Sequence, residues 1–231
     1  MLILGIESAT AKVGCAIGDH RVLASAHAAI DRRHAENLAP QIDFVRRQAQ
    51  VRFADLTVVA VDVGPGLYTG LRVGISSALA LAHALGVPMI GIPSLDLVAF
   101  AARHTSRRII AVLDARRGEV FAAEYRPVPG GVQRVGEHRV VTPDAVAAEL
   151  QADDVETLLV GDGARRYADR FAELRHVEIA DALLDHPNAV SLVQLAHARA
   201  LREEFVQPWE LEPLYLRKPD AESNWTTREV R

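Results

Sequence analysis

The chain has a single cysteine, Cys15, in 231 residues. That excludes an internal disulfide, and no Cys-x-x-Cys pair exists for zinc or redox work. Lysine is almost as scarce. Lys12 and Lys218 are the only two among 26 basic residues, so the other 24 are arginine. No apolar run approaches the ~18 residues a membrane span needs. The first nine residues carry no basic n-region, only a short apolar start, so no signal peptide is expected and the location read from sequence is cytoplasmic. Acidic residues (30) outnumber basic ones, for a net charge of −4, which argues against a freestanding nucleic-acid binder. What is present is average for a globular chain: 49% hydrophobic and 24% charged residues exclude an intrinsically disordered one. The length suits one large domain or two small lobes.

Punctuation along the chain supports two lobes. Residues 2–8, Val13 to Ile17 and Val22 to Ala29 predict three strands in a meander, with a turn at Gly18-Asp19-His20. Leu38, Ile42, Val45 and Ala49 form one helical stripe, and Pro40 is tolerated if the regular helix begins close to it. Leu56 to Val63 reads as a buried strand stopped by Gly64-Pro65-Gly66. A helix from about Thr69 to Leu85 is closed by Gly86, Val87 to Ile92 adds a strand, and Ser94 opens another helix carrying Leu95, Val98 and Ala102. The series then repeats: strands at Ile109 to Leu113, Val120 to Tyr125 and Val132 to Val141, and a helix over 143–151 opened by Thr142-Pro143. A strand at Leu158 to Val160 ends at Gly161-Asp162-Gly163, and helices are expected at 164–174 and 189–205. The expected division is residues 1–105 as the first lobe and 106–218 as the second, whose last helix packs back on the first, with a polar tail over 219–231. The sequon at Asn224 is read as chance.

Five arginine doublets (Arg32-Arg33, Arg46-Arg47, Arg107-Arg108, Arg116-Arg117 and Arg165-Arg166) suit phosphate, but neighbouring acids make solvated faces the simpler account. Nine histidines include no His-x-x-x-His pair and no His-Glu-x-x-His, so no helix-borne zinc site is expected. No Gly-x-Ser-x-Gly elbow exists, and Cys15 lies in a strand as a core residue rather than a nucleophile. No catalytic residue and no metal ligand is therefore assigned. Glu7, Gly64, Gly66 and Asp162 sit at strand ends where a nucleotide could approach, Glu7 equally suiting a capping role. For Asp62, Asp114 and Asp162 an exposed loop is the simpler account. The Gly64–Gly74 stretch matches neither a P-loop nor a dinucleotide fingerprint.

The helix after that turn is unusual. Gly70, Gly74, Ala78, Ala82 and Gly86 recur every four residues, forming a ridge nearly free of side chains. Beside it runs the stripe of Leu71, Ile75 and Leu79. One account buries this helix between its own sheet and lobe. The other gives one arc to the sheet and the rest to a partner protein, with Leu38, Ile42 and Val45 as the second half of that surface. On the latter account Leu38, Ile42, Val45, Leu71, Gly74, Ile75, Ala78, Leu79 and Ala82 are the partner-binding candidates.

Several of these pieces together resemble the TsaB family. They are Leu-Gly-Ile-Glu-Ser-Ala-Thr at 4–10, His34 at a helix start, Gly64 through Gly74, Asp114-Ala115-Arg116-Arg117-Gly118-Glu119-Val120, and Pro213-Leu214-Tyr215-Leu216-Arg217. The resemblance implies an α/β fold of the actin/Hsp70/sugar-kinase kind, a duplicated ribonuclease H-like arrangement of two lobes with mixed sheets. It also implies a non-catalytic subunit that supports TsaD, the paralogue that transfers threonylcarbamoyl to the tRNA adenosine beside the anticodon. By the same resemblance TsaE, an ATPase, joins them, tRNA is met only through the complex, and a homodimer can form through a similar face. No tightly bound cofactor is expected, and the TsaD boundary is the place left open for a nucleotide. The paired-histidine metal motif of the catalytic paralogue is missing at Ile92-Pro93-Ser94-Leu95-Asp96-Leu97, which removes the device that would polarise an acyl group. A small-molecule kinase or ATPase is the alternative, motivated by the doubled architecture and the glycine-rich turn; a metallopeptidase comes third.

Overall fold

In the computed structural model, residues 1–29 and 34–217 are described, without the side chain of His34. The Arg32-Arg33 doublet, the expected tail at 219–231 and Asn224 lie outside them. The first half runs β1 (Ile3–Glu7), β2 (Lys12–Gly18), β3 (Val22–Ala29), α1 (His34–Gln48), β4 (Val58–Asp62), α2 (Tyr68–Leu85), β5 (Met89–Ile92) and α3 (Ser94–Ala101). The second runs β6 (Arg108–Arg116), β7 (Glu119–Val128), β8 (Gly131–Val141), α4 (Pro143–Gln151), β9 (Thr157–Val160), α5 (Asp162–Arg166), β10 (Val177–Ile179) and α6 (Ala189–Ala200). Each half builds one five-stranded sheet, in the order β3-β2-β1-β4-β5 and β8-β7-β6-β9-β10. The first three strands of each are antiparallel and the later two join in parallel. This is the repeated mixed sheet that the sequence pattern leads one to expect.

Period-two alternation decides what each face of the first sheet meets. Leu4, Ile6, Val13, Cys15, Ile17, Val59 and Val61 pack under α1 and α2. Ile3, Ala16, Val58, Ala60 and Ile90 pack against Leu192, Val193 and Ala196 of α6. The last helix of the second half thus covers the first sheet. Conversely, Leu95, Val98 and Ala99 of α3 pack on Ile109, Ala111, Leu113, Phe121 and Tyr125 of the second sheet. A polar clasp fixes this exchange: the Tyr125 hydroxyl donates to Asp96 of α3 at 2.7 Å, and His138 lies 3.0 Å from the same carboxylate.

Two expectations change, and one strand was not foreseen. The helix over 164–174 shrinks to Asp162–Arg166 plus a single turn at Ala168–Arg170, because Tyr167 leaves helical geometry (φ −112°, ψ 31°). The helix over 189–205 stops at Ala200, and Glu203 takes a left-handed φ of 58°. The three-residue β10 has too little sequence to show a period. Caps, by contrast, lie where the residues place them: the Thr142 hydroxyl accepts from the Ala145 amide, and Gly86 closes α2 at φ 65°.

Candidate functional site

The partner-binding candidates are mostly consumed within the chain. Leu38, Ile42, Val45, Leu71, Gly74, Ile75, Ala78 and Ala82 are buried against the first sheet, and Leu79 is half-buried at its margin. The small-residue ridge faces inward. A Cβ on Gly74 would fall on the Ser8 hydroxyl, which donates to the Gly70 carbonyl at 2.8 Å. The bareness of α2 therefore serves its own β1 end rather than a second polypeptide, and the sequence account that gave this arc to a partner is corrected.

What α1 and α2 leave outside is a different set. Phe44, off the apolar stripe of α1, is 48% exposed. On α2, Arg72, Ser76, Ala80, His83 and Ala84 are exposed. Trp209, 78% exposed, sits on a turn (Pro208–Glu210) packed against α2. Tyr215 stacks on Tyr68 with ring centroids 5.5 Å apart, Arg72 lies over Tyr68, and Arg46 of α1 lies over Phe53. All the exposed aromatic side chains of the described residues (Phe44, Phe53, Tyr68, Trp209 and Tyr215) belong to α1, α2 or segments lying on them. Phe44 carried a readable signal, an apolar residue out of phase with its helix; Trp209 carried none.

The nucleotide-proximal candidates are only partly brought together. Gly66 and Asp162 line one cleft between the halves with Thr10, Asp114 and Arg116, but its volume is about 20 Å³, room for about one water. A larger neighbouring cavity also takes Gly66, Asp114 and Arg116 into its lining, but not Asp162. The Leu67 amide donates to the Ala9 carbonyl at 2.7 Å, and a Cβ on Gly66 would overlap that carbonyl. Gly64 is buried beneath Leu214. Glu7 opens instead onto a separate cavity on the α6 side.

The acids are not the exposed loop groups that their neighbours suggest. Glu7, Asp62 and the Asp114 carboxyl are buried, and Asp162 is mostly so. Asp62 Oδ1 accepts from the Gly64 amide (2.8 Å) and the Ser94 hydroxyl (2.6 Å), while its Oδ2 is buried without a partner. Burial, opposed by those two bonds, pushes Asp62 up to about 7. Burial and then the charge of Asp62 raise Glu7 well above the usual carboxylate range, against one bond from the Ala9 amide. Burial likewise raises Asp162, which accepts from the Asp114 amide. Cys15 is buried and its thiol is pushed up to about 12, as suits a core residue. The arginine doublets meet carboxylates: Arg46 and Arg47 meet Asp43, Arg107 meets Glu156 and Glu178, Arg108 meets Asp153, Arg116 and Arg166 meet Asp114, and Arg165 meets Asp185. Among the described residues no group of three or more His, Cys, Asp or Glu is placed to hold a metal ion. No helix among them is long and apolar enough to cross a membrane.

Beside the α2 start lies a larger cavity of about 370 Å³, lined by Leu67, Tyr68, Leu71, Phe121, Tyr215 and Arg217 among others.

Comparison with known proteins gives these features a family. The profile described as "TsaD: tRNA N6-adenosine threonylcarbamoyltransferase" matches residues 22–225. An uncharacterized protein of Mycobacterium tuberculosis is 36% identical over 222 residues, covering 95% of this chain and 93% of that one. The tRNA threonylcarbamoyladenosine biosynthesis protein TsaB of Haemophilus influenzae is 30% identical over 196 residues, 80% of each chain. YeaZ from Pseudomonas aeruginosa superposes with a TM-score of 0.82 at 28% identity, over 93% of this chain and 99% of that structure. The two-lobe fold is thus the actin-like, ribonuclease H-like one, and the chain belongs to the TsaB proteins within the wider TsaD family.

Proposed function

We propose that this chain is a non-catalytic subunit in the synthesis of threonylcarbamoyladenosine in tRNA, and that it docks on a TsaD-like catalytic paralogue through the outer face of α1 and α2. The pathway comes from the name its TsaB relatives carry. One observation carries the docking surface: the exposed aromatics are confined to that helical layer. Interfaces concentrate aromatic and arginine side chains, and a few such anchors supply most of the affinity. Small exposed positions at Ser76, Ala80 and Ala84 let a partner helix approach closely. A standard interface would bury about 800 Å² per partner.

Binding would hold the lobes of the partner in an arrangement competent for tRNA, so tRNA and a TsaE-like ATPase meet this chain only through the complex, in the cytoplasm. A nucleotide, on this reading, belongs to the shared boundary beside Tyr68 and Tyr215 rather than to this chain alone. A homodimer would use the same face and compete with the paralogue. The kinase or ATPase reading needs a cleft between Gly66 and Asp162 that admits more than about one water.

The test is affinity for the TsaD-like protein together with reconstituted tRNA modification. Trp209→Ala and Phe44→Glu should each weaken the complex about 30-fold, the scale of a hot-spot residue, and depress modification in parallel while the isolated variants melt as wild type. Ile75 is unsuitable for this purpose, since it belongs to the core. Unchanged affinity in both variants overturns the surface. Modification that proceeds equally without this chain overturns the subunit role.

A further inference from the structure

We propose that the cavity between the first sheet and the start of α6, walled by Glu7, Lys12, Ser25, His27, His186 and Asn188, binds a compact oxyanion-bearing metabolite, a carboxylate or a phosphate ester. Its volume is about 230 Å³, just below the ~300–1,000 Å³ of sites for drug-sized ligands. That suits a small metabolite and is too little for a nucleotide.

The register of β2 and β3 builds the floor. Gly14 pairs with His27 and Ala16 with Ser25, so with a period of two Lys12, Gly14, Ser25 and His27 share the face that looks toward α6. Gly14 keeps the floor open, because a Cβ there would press on the His27 Cβ at 3.1 Å. The other wall is the first turn of α6, where Asn188 accepts from the Ser191 amide.

Three polar groups stand on these walls. Glu7 is 1% exposed, and one of its oxygens takes the Ala9 amide. The His186 Nδ1 is buried with no partner. Lys12, one of only two lysines in the chain, brings its charge to bear on both Glu7 and His186. A buried imidazole nitrogen left unsatisfied is costly, and an oxyanion offers it a partner while meeting the other two groups. It takes the Lys12 charge, accepts from His186, and accepts from Glu7 in the protonated form that burial favours. A cation in the same space would meet Lys12 unfavourably.

The cavity lies on the opposite face of the first sheet from α1 and α2, so its fate is separable from that of the docking surface. The experiment follows the histidine imidazole signals of the full chain by NMR at constant ionic strength, with inorganic phosphate and succinate as separate probes. Saturable movement of His27 and His186, with His83 on the exposed side of α2 unmoved, is the expected result for at least one probe. Phosphate alone points to a phosphate ester, succinate alone to a carboxylate, and both to the shared chemistry. Lys12→Met should weaken binding about tenfold, the scale of one charge-assisted bond. His27→Leu serves as the second variant should Lys12→Met not fold, and Phe44→Glu should bind as wild type. No saturable movement with either probe, equal movement at His83, or unchanged affinity in a folded cavity variant overturns the proposal.

Discussion

The two halves of the chain lay their strands in the same spatial order but hang unlike helices on them. In the first half α1 and α2 run for 15 and 18 residues; in the second, α4 and α5 run for 9 and 5. At 1.5 Å per residue α2 extends for about 27 Å and α5 for about 8 Å. The longer pair offers an outer surface that a partner can use, and the exposed aromatics are found there. The shorter pair chiefly closes a core, with Val146, Leu150 and Ala164 buried beneath it. The difference separates what the frame requires from what docking requires. Inward faces are apolar in both halves; only one half has outward faces worth reading.

The comparison can be broken at the exchanged helix. Leu192 of α6 is fully buried against the first sheet. Leu192→Ala should cost about 2–5 kcal/mol, read as a lower denaturation midpoint. Hydrogen-exchange protection should fall first in β1, in the other half of the chain. Loss confined to β9 and β10 would contradict the exchange.

A smaller, pH-dependent effect tests the buried acids of the first half. Asp62 is held protonated up to about pH 7 in the folded chain and ionises near its ordinary 3.8 when unfolded. Below 3.8 both states are protonated and nothing is lost; stability then declines as pH rises through that interval, and the loss is complete above about 7. Asp62→Asn keeps an oxygen for the Gly64 amide and the Ser94 hydroxyl, so its melting temperature should gain on wild type between pH 5 and pH 8. The raised Glu7 leaves part of the slope in place. Identical slopes in the two proteins would show that Asp62 does not titrate in this interval.

The smallest effect sharpens the contrast between long and short helices. Thr142 caps α4 through its hydroxyl, whereas α2 begins at Leu67 with no side-chain cap. Thr142→Ala should cost about 1 kcal/mol, visible in thermal melts as a modest shift. A shift within error would mean that packing alone holds the shorter helix.

Much of this was legible in the residues. Apolar runs bounded by turn residues mark β1 through β9, and the caps at Thr142 and Gly86 follow from residue type. The three-strand, helix, strand, helix series predicts the doubled sheet. The direction of the α2 ridge was not legible: Gly70, Gly74, Ala78 and Ala82 reveal a bare line on a helix, and periodicity says nothing of what fills the space beside it. Only the Ser8 hydroxyl, brought there by the turn after β1, explains Gly74. The acids at 62, 114 and 162 misled for a related reason. Turn residues nearby suggest solvent, but turns that bring two lobes together bury their carboxylates. The α6 cavity draws on β1, β2, β3 and α6, four segments that no local pattern connects.

The cover that α6 gives the first sheet also sets an order of events at the ribosome. Ile3, Ala16, Val58, Ala60 and Ile90 are complete as a surface once β5 ends at Ile92, yet the helix that shelters them finishes at Ala200. At ~5–20 residues per second, that strip waits on the order of ten seconds. The amino-terminal half is therefore a nascent chain with an open greasy flank, in need of shielding until its own far end arrives.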